Sequence, residues 1–586
     1  LAKQKKPQNM STTLRRIWGY MAKEKALFIL VMVMLIMSSV LSLIGPYLMG
    51  VAVDDVIAGS GGKELFIMLL WLTLIYLAQS GAIFFQNYWM IGIAQNVVFV
   101  MRNQLFSHLQ KLPISFYQKR QHGELMSRLT NDMENVSRTL NSAIIQVVTS
   151  TLTIIGTIIV MLWLSPLLTV LTLLIVPALF AGMKWITNRT GKYFKEQQKT
   201  LGDMNGYIEE AISGQKIIKM YSQERRVIEE FEGKNEALRT SSYWAQSYSG
   251  LIPKLMNMLN NVSFTIIVGV GGVLALKGAV SIGVIVTFTT YARQFTRPLN
   301  DLANQFNMIL SAVAGAERVF QIMDEEMEAK DESEAREIAT LKGEIAFEHV
   351  SFSYDQELAT LRDVSFHASP GEMVALVGPT GAGKTTIISL LSRFYDADDG
   401  VILVDGLDIK KIKRESLRQQ MAFVLQDSVL FRTTVRENIR YGNLKATDDE
   451  VVEASKRANA HDFIMKLPKG YDTVLSTEGS DLSHGQRQLL SIARAMLADP
   501  ALLILDEATS SIDTITELKI SEALKTLMAG RTSFVIAHRL NTIQNADLII
   551  VLKDGEVIEK GTDQELIERK GFYADLVHAQ RQKGAV

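Results

Sequence analysis

The chain has 586 residues, 48% of them hydrophobic, and a formal net charge of −1. Its length allows several domains, and its charge excludes a nucleic-acid binder working through a broad basic face. It contains no cysteine, so disulfides, thiolate metal sites and cysteine nucleophiles are all excluded.

A mean hydropathy of +0.13 is high for a chain with a long polar half, and points to a membrane part joined to a soluble part. The first residue is Leu1 rather than Met, which reads as a trimmed chain or a tag scar. No cleavable signal pattern precedes the first apolar run.

Residues 1–25 are polar and basic, with Lys3, Lys5, Lys6, Arg15, Arg16, Lys23 and Lys25. Ala26 to Val53 is then almost entirely apolar, long enough for the roughly 30 Å hydrocarbon layer. Further spans are predicted at 65–91, 143–163, 167–186, 255–276 and 282–306, six in all. The last two are less uniform, interrupted by Asn257, Asn260 and Asn261 and by Arg293, Arg297 and Asp301. Polar groups in spans are functional suspects, or else glue between helices; Gln79, Gln86 and Asn87 join the list.

Connections at 54–64, Ser165-Pro166 and 277–281 are short and poor in Lys and Arg, whereas those at 92–142 and 187–254 are long and basic. The positive-inside rule therefore predicts cytoplasmic termini and a multi-pass protein of the cytoplasmic membrane. Each long loop keeps helical periodicity and is broken by a short amphipathic piece, near Phe116 and near Ile212. Such a piece is either an ordinary loop tip or a knob that docks on another domain.

Residues 323–342 are acidic and read as a linker lying on the soluble domain. From Gly343 onward, apolar strands alternate with helical patterns, at Glu344–Val350, Met373–Val377, Met421–Leu425, Leu502–Leu505, Ser533–Ala537 and Leu548–Leu552. The alternation predicts an α/β core with a mostly parallel sheet. Between one strand and a helix lies Gly378-Pro379-Thr380-Gly381-Ala382-Gly383-Lys384-Thr385-Thr386, the pattern of a phosphate-binding P-loop. Its glycines let backbone N–H groups converge on phosphate oxygens at a helix N-terminus. Lys384 supplies charge for the β and γ phosphates, and the Thr385 hydroxyl is placed for Mg²⁺.

Asp506 and Glu507 end an apolar strand, where the first acid can support a metal and the second can activate water. Gln426 follows another strand and could reach the metal or that water; His538 follows a third and could contact the γ-phosphate. Leu482-Ser483-His484-Gly485-Gln486 precedes a helix whose N-terminus could bind phosphate. If each P-loop fills its own site, that helix serves a second copy.

In order and spacing these motifs, with Ser511-Ile512-Asp513, resemble those of ATP-binding cassette (ABC) exporters over nearly the whole chain. The resemblance implies an α-helical six-span transmembrane domain (1–322), a linker (323–342) and an α/β P-loop NTPase domain (343–586). It implies a half-transporter, with two ATP molecules sandwiched head to tail between two cassettes and with Mg²⁺ as cofactor. Tyr354 would stack on adenine, and Gly378, Thr380, Gly381, Gly383, Lys384, Thr385 and Thr386 would hold phosphates. Thr385, Gln426 and Asp506 would serve the metal, Glu507 would be the catalytic base and His538 the switch histidine. Ser483, Gly485 and Gln486 would grip the partner's ATP, Asp513 would also belong to the nucleotide site, and the breaks near Phe116 and Ile212 would be coupling helices.

One position departs from the family: the signature Leu-Ser-Gly-Gly-Gln carries His484 third. A side chain there crowds the γ-phosphate or changes the loop. This resembles a subunit of heterodimeric bacterial multidrug exporters, the one with the intact catalytic Glu507. The implied function is ATP-driven efflux of amphiphilic drugs, the alternative a lipid flippase or peptide exporter of the same architecture, in either case without nucleic acid as partner. No N-terminal protease domain of a processing peptide exporter is visible. A soluble DNA-repair ATPase would need long arms between P-loop and signature. The roughly 100 residues there are too few for such arms at 1.5 Å per residue.

Overall fold

The long apolar runs become helices that outlast any bilayer. A computed structural model describes residues 9–59, 62–354, 359–425, 428–476, 479, 481–506, 513–536 and 543–584. It divides into a helical unit that ends at Met327 and an α/β unit that runs from Glu328.

In the helical unit, five stretches are long and apolar enough to cross a membrane: Met10–Ile57, Gly62–Leu109, His122–Leu164, Pro166–Ser213 and Glu224–Leu276. Only 11 to 22% of each apolar window is buried inside the protein, so the remaining apolar surface needs a lipid solvent. The sequence predicts six spans. The sixth helix, Ile282–Met323, is 42 residues long but falls outside that apolar class, because polar and charged residues from Arg293 to Asp301 interrupt it.

Small residues bring the first and last of these helices together. A Cβ at Gly50 would meet the Thr287 hydroxyl and the Gly283 carbonyl, the close backbone approach that small residues permit between spans. Asp54 fixes the same junction, accepting from the Gly283 N–H at 2.7 Å and the Ser281 hydroxyl at 2.5 Å.

Beyond the apolar windows the helices continue into polar sequence. The break expected near Ile212 is found at Gly214: Ile175–Ser213 is unbroken, Gly214 interrupts it, and a short helix follows at Gln215–Met220. The apolar residues of 209–213 belong to the last turn of the long helix, and glycine, the poorest non-proline helix former here, sets the boundary. The other short piece is a helix at Ile114–Gln118.

The α/β unit holds two sheets. One is antiparallel, with order β2-β1-β4-β5, formed by β1 (Ile345–Phe352), β2 (Leu361–Ala368), β4 (Asp399–Val404) and β5 (Leu407–Asp408). The other has order β10-β9-β3-β8-β7-β6, with β3 (Met373–Val377), β6 (Met421–Val424), β7 (Leu502–Asp506), β8 (Thr532–Ile536), β9 (Leu548–Lys553) and β10 (Glu556–Gly561). Its pairings are parallel except β10 with β9, as expected of strands separated by crossover helices. Continuous apolar runs such as Leu502-Leu503-Ile504-Leu505 are buried on both faces, the mark of a covered parallel sheet. One core joins the two sheets around Phe347, Phe366, Leu376 and Phe534. A second core covers the opposite face, through Val435, Ile439, Leu489, Ile492 and Tyr573.

The acidic segment before β1 is tied down within this unit. Asp331 is shared by Arg393 and Arg414, each at 3.2 Å, and Glu328 takes both Arg418 nitrogens at 2.6 and 3.2 Å. Arg393 is 3% exposed, so its charge depends on Asp331 and on Asp396, also at 3.2 Å, rather than on water.

Candidate nucleotide site

Parallel pairing sends the carboxyl ends of neighbouring strands to one edge of the sheet, where such folds bind ligands. β3 lies between β9 and β8, and β8 lies beside β7. Asp506, the last residue of β7, pairs with Ile536 of β8, which pairs with Leu376 of β3. The P-loop and Asp506 therefore emerge at the same edge. The chain positions that lead to Gln426 and His538 follow β6 and β8 there; Gln426, Glu507, Ser511, Ile512 and His538 themselves lie outside the described residues.

The loop itself is a cradle that only glycine can line. Gly378, at φ 152°, would push a Cβ into the Leu552 carbonyl. Gly383, at φ 100°, begins the Lys384–Leu391 helix in the left-handed region and would push a Cβ into Leu361. Gly381 also has positive φ. Thr380 and Thr385 are exposed, and Thr385 lies in the first turn of the helix, where free N–H groups and positive potential favour an anion.

Lys384 is 8% exposed. Its ammonium donates to the Gly378 and Pro379 carbonyls at 2.7 and 2.9 Å. Burial pushes its pKa below the ordinary 10.5, and Asp506 opposes that shift. A buried ammonium satisfied by loop carbonyls is a donor that can turn to phosphate oxygens. The cradle, the helix terminus, Lys384, Thr385 and Asp506 thus fit a nucleoside triphosphate, and the hydroxyl and carboxylate fit Mg²⁺.

Tyr354 lies edge-on to Phe352 and Tyr395, at ring separations of 4.9 and 5.0 Å, and its hydroxyl donates to Thr386 at 3.2 Å. A half-exposed aromatic ring tied to the P-loop helix is available to a flat base.

The signature forms the start of the His484–Ala498 helix. Ser483 is its N-cap: its hydroxyl accepts from the Gln486 N–H at 3.2 Å, while the Gln486 side chain accepts from the Ser483 N–H at 2.9 Å. This capping box makes Gln486 part of the helix start. Gly485 is buried, and the His484 Nδ1 is buried with no hydrogen-bond partner among the described residues. Among those residues, no hydrogen bond joins the Ser483–Gln486 turn to the P-loop. Asp513 caps the Thr514–Met528 helix, accepting from the Thr516 N–H at 2.9 Å; the same bond holds its carboxyl below the usual 3.8.

Polar residues of the spans form a second feature, which the sequence reading reached only through Arg293, Arg297 and Asp301. Gln146, Thr149, Ser150 and Thr153 stand with them around one cavity. Their spacing of three to four residues along a span was the available signal.

A P-loop ATPase domain fused to membrane-spanning helices defines an ATP-driven membrane transporter. Family comparison agrees: residues 28–299 match the ABC transporter transmembrane region and residues 361–510 the ABC transporter domain. The chain belongs to the ABC transporter family, as an exporter-type half-transporter with one membrane domain and one ATPase cassette.

A relative from Bacillus subtilis (strain 168), named uncharacterized ABC transporter ATP-binding protein YfiC, is 60% identical over 99% of this chain and 96% of its own length. The fatty acid ABC transporter ATP-binding/permease protein of Mycobacterium bovis is 41% identical over 86% of this chain and 80% of its own. A solved bacterial Atm1-family ABC exporter with ATP bound matches at a TM-score of 0.74 and 28% identity. That match covers 95% of this chain and 98% of the other.

Proposed function

We propose that this chain is one half of a dimeric exporter that uses ATP to move amphiphilic drugs and xenobiotics out across the cytoplasmic membrane. The observation that carries the reading is the separation of P-loop and signature. A cradle that fits a triphosphate and a capped helix start belong to one cassette; the P-loop fills its own site, and in this reading the signature serves the cassette of a second half.

In this reading the membrane domain occupies 1–322, the linker 323–342 and the cassette 343–586, with both termini cytoplasmic. Tyr354 stacks on adenine, and Gly378, Thr380, Gly381, Gly383, Lys384, Thr385 and Thr386 hold the phosphates. Thr385 and Asp506, with Gln426, hold Mg²⁺, which when bound neutralises phosphate charge. Glu507 deprotonates the attacking water and His538 positions the γ-phosphate. Ser483, Gly485 and Gln486 grip the partner's nucleotide, and Asp513 also belongs to the nucleotide site. Cassette closure on ATP turns the spans outward, and hydrolysis with product release resets them.

His484 favours a heterodimer. Its imidazole occupies the first helical position of the signature, where an intact partner would need glycine for close approach. In a homodimer both sites would carry it; in a heterodimer the site holding Glu507 would be completed by the partner's own signature.

The relative named for fatty acids favours a second reading, a lipid exporter of the same architecture. Inverted vesicles test both. ATP-dependent uptake of a cationic dye supports drug efflux, uptake of a labelled lipid supports the second reading, and no uptake of any solute beside an active partner overturns both.

A further inference from the structure

The helical unit carries an open cavity of about 590 Å³, within the size range of drug-sized ligand sites. Two exposed guanidiniums, Arg293 and Arg297, stand on it one helical turn apart on Ile282–Met323. At 1.5 Å per residue from the start of that helix, Arg293 lies about 16 Å and Arg297 about 22 Å along it. With the helix start at the edge of a hydrocarbon layer about 30 Å thick, both charges would sit within the layer, where ionisable groups mark ligand paths by default.

Neither guanidinium makes an ion pair among the described residues. Arg293 is held over the Phe264 ring at 5.5 Å, a contact that steadies the group without neutralising it. The lining contains one acid, Asp301, a turn further on, and its carboxylate already accepts from the Gln146 side chain at 2.9 Å. Two cations against one carboxylate leave an excess positive charge. Like charges at this spacing also repel along a helix, a cost that a bound anion would relieve.

We infer that this cavity binds the head of an anionic amphiphile, a carboxylate or phosphate monoester gripped by Arg293 and Arg297, with the tail against the apolar faces of the spans. Planar guanidiniums suit both oxyanions through paired N–H donors. A cationic drug would meet the same pair as a repulsive wall. The inference rests on the export reading, and narrows its substrate from amphiphiles in general to anionic ones.

Binding to the full-length protein in nanodiscs, in the dimer it forms, tests this. Three fluorescent probes share one alkyl tail and carry a carboxylate, a phosphate monoester or an uncharged hydroxyl. The wild type is expected to bind at least one anionic probe roughly ten-fold or more tighter than the alcohol, the scale of a charge-assisted contact. The double variant Arg293→Gln/Arg297→Gln should lose that preference while alcohol binding, which reports an intact cavity, persists; Arg297→Lys, which keeps the charge but not the paired donors, should retain more of it than Arg297→Gln. If the double variant loses alcohol binding as well, comparison of Arg297→Lys with Arg297→Gln decides.

Preference for carboxylate alone points to fatty acids, for phosphate alone to phospholipid-like heads, and for both to oxyanions generally; each supports the site. Equal affinity of the wild type for anion and alcohol, or a preference that survives the double variant, overturns it. Vesicles that transport cationic dyes but no anionic probe refute the charge assignment and leave export standing. Tight anion binding without transport of any solute refutes export and leaves the site.

Discussion

Lys384 shows how a single residue is prepared for its ligand. Burial disfavours its charge, Asp506 defends it, and two loop carbonyls hold it until an anion is present. Lys384→Ala should weaken ATP binding by about ten- to a hundred-fold, the range for a hydrogen bond to a charged group, as read by titration with a fluorescent ATP analogue. Glu507→Gln removes the proposed base but no phosphate contact. It should retain ATP binding and lose about a hundred-fold or more of the hydrolysis rate; near-normal ATPase in the purified complex would remove Glu507 from that role.

Among the elements, the segment around Asp132 carries the densest buried charge of the helical unit. Two π-helical turns, Arg128–Asp132 and Thr139–Ala143, interrupt the helix there. They are often found where a side chain must be re-aimed. The Asp132 carboxylate, 4% exposed, accepts from Arg128 at 3.0 Å and from the Arg318 Nε at 3.0 Å, with a second Arg318 nitrogen also in contact. Asp132→Ala leaves Arg318 without its partner, while Arg128 keeps Glu124 at 2.7 Å, and should cost about 3 kcal/mol, seen as a lower melting temperature in detergent; an unchanged melting point would refute the network's role.

The Thr514–Met528 helix predicts a pH effect of defined sign. Because Asp513 titrates below 3.8 when folded, its capping contribution is full above that value and is lost as pH falls through the lower folded pKa. Hydrogen exchange at the Thr516 amide should accelerate, relative to the intrinsic rate, only in that acidic window.

For the whole molecule, the proposed heterodimer makes the strongest demand. Affinity purification of this chain from its native host should bring down a second, similar-sized chain, and the pair should hydrolyse ATP several-fold faster than this chain alone. A homodimer with full transport activity would dispose of the heterodimer and leave His484 to be explained as a tolerated substitution.

The cassette was the more legible half. Met373–Val377 forms a strand with the predicted bounds, and the P-loop glycines announce a conformation that other residues resist. The antiparallel sheet of β1, β2, β4 and β5 was not foreseen as a sheet: β1 pairs with β4 some fifty residues on, which leaves no local signal, although Asp405-Gly406 between β4 and β5 was an available hairpin signal. The break expected near Ile212 is found at Gly214: helical periodicity runs through both positions, and only the competition between helix propagation and packing sets the exact stop.

Motif chemistry and hydropathy are local properties of covalent order, so the amino-acid sequence by itself determined that this chain is an ABC transporter with an ATPase cassette behind apolar spans. Only the tertiary structure decided which strands lie side by side, that Lys384 and Asp506 share an edge, and that Arg293 and Arg297 open onto one cavity beside an acid already engaged by Gln146. Those facts depend on which distant side chains are brought within hydrogen-bonding reach, and that is settled by packing rather than by spacing along the chain.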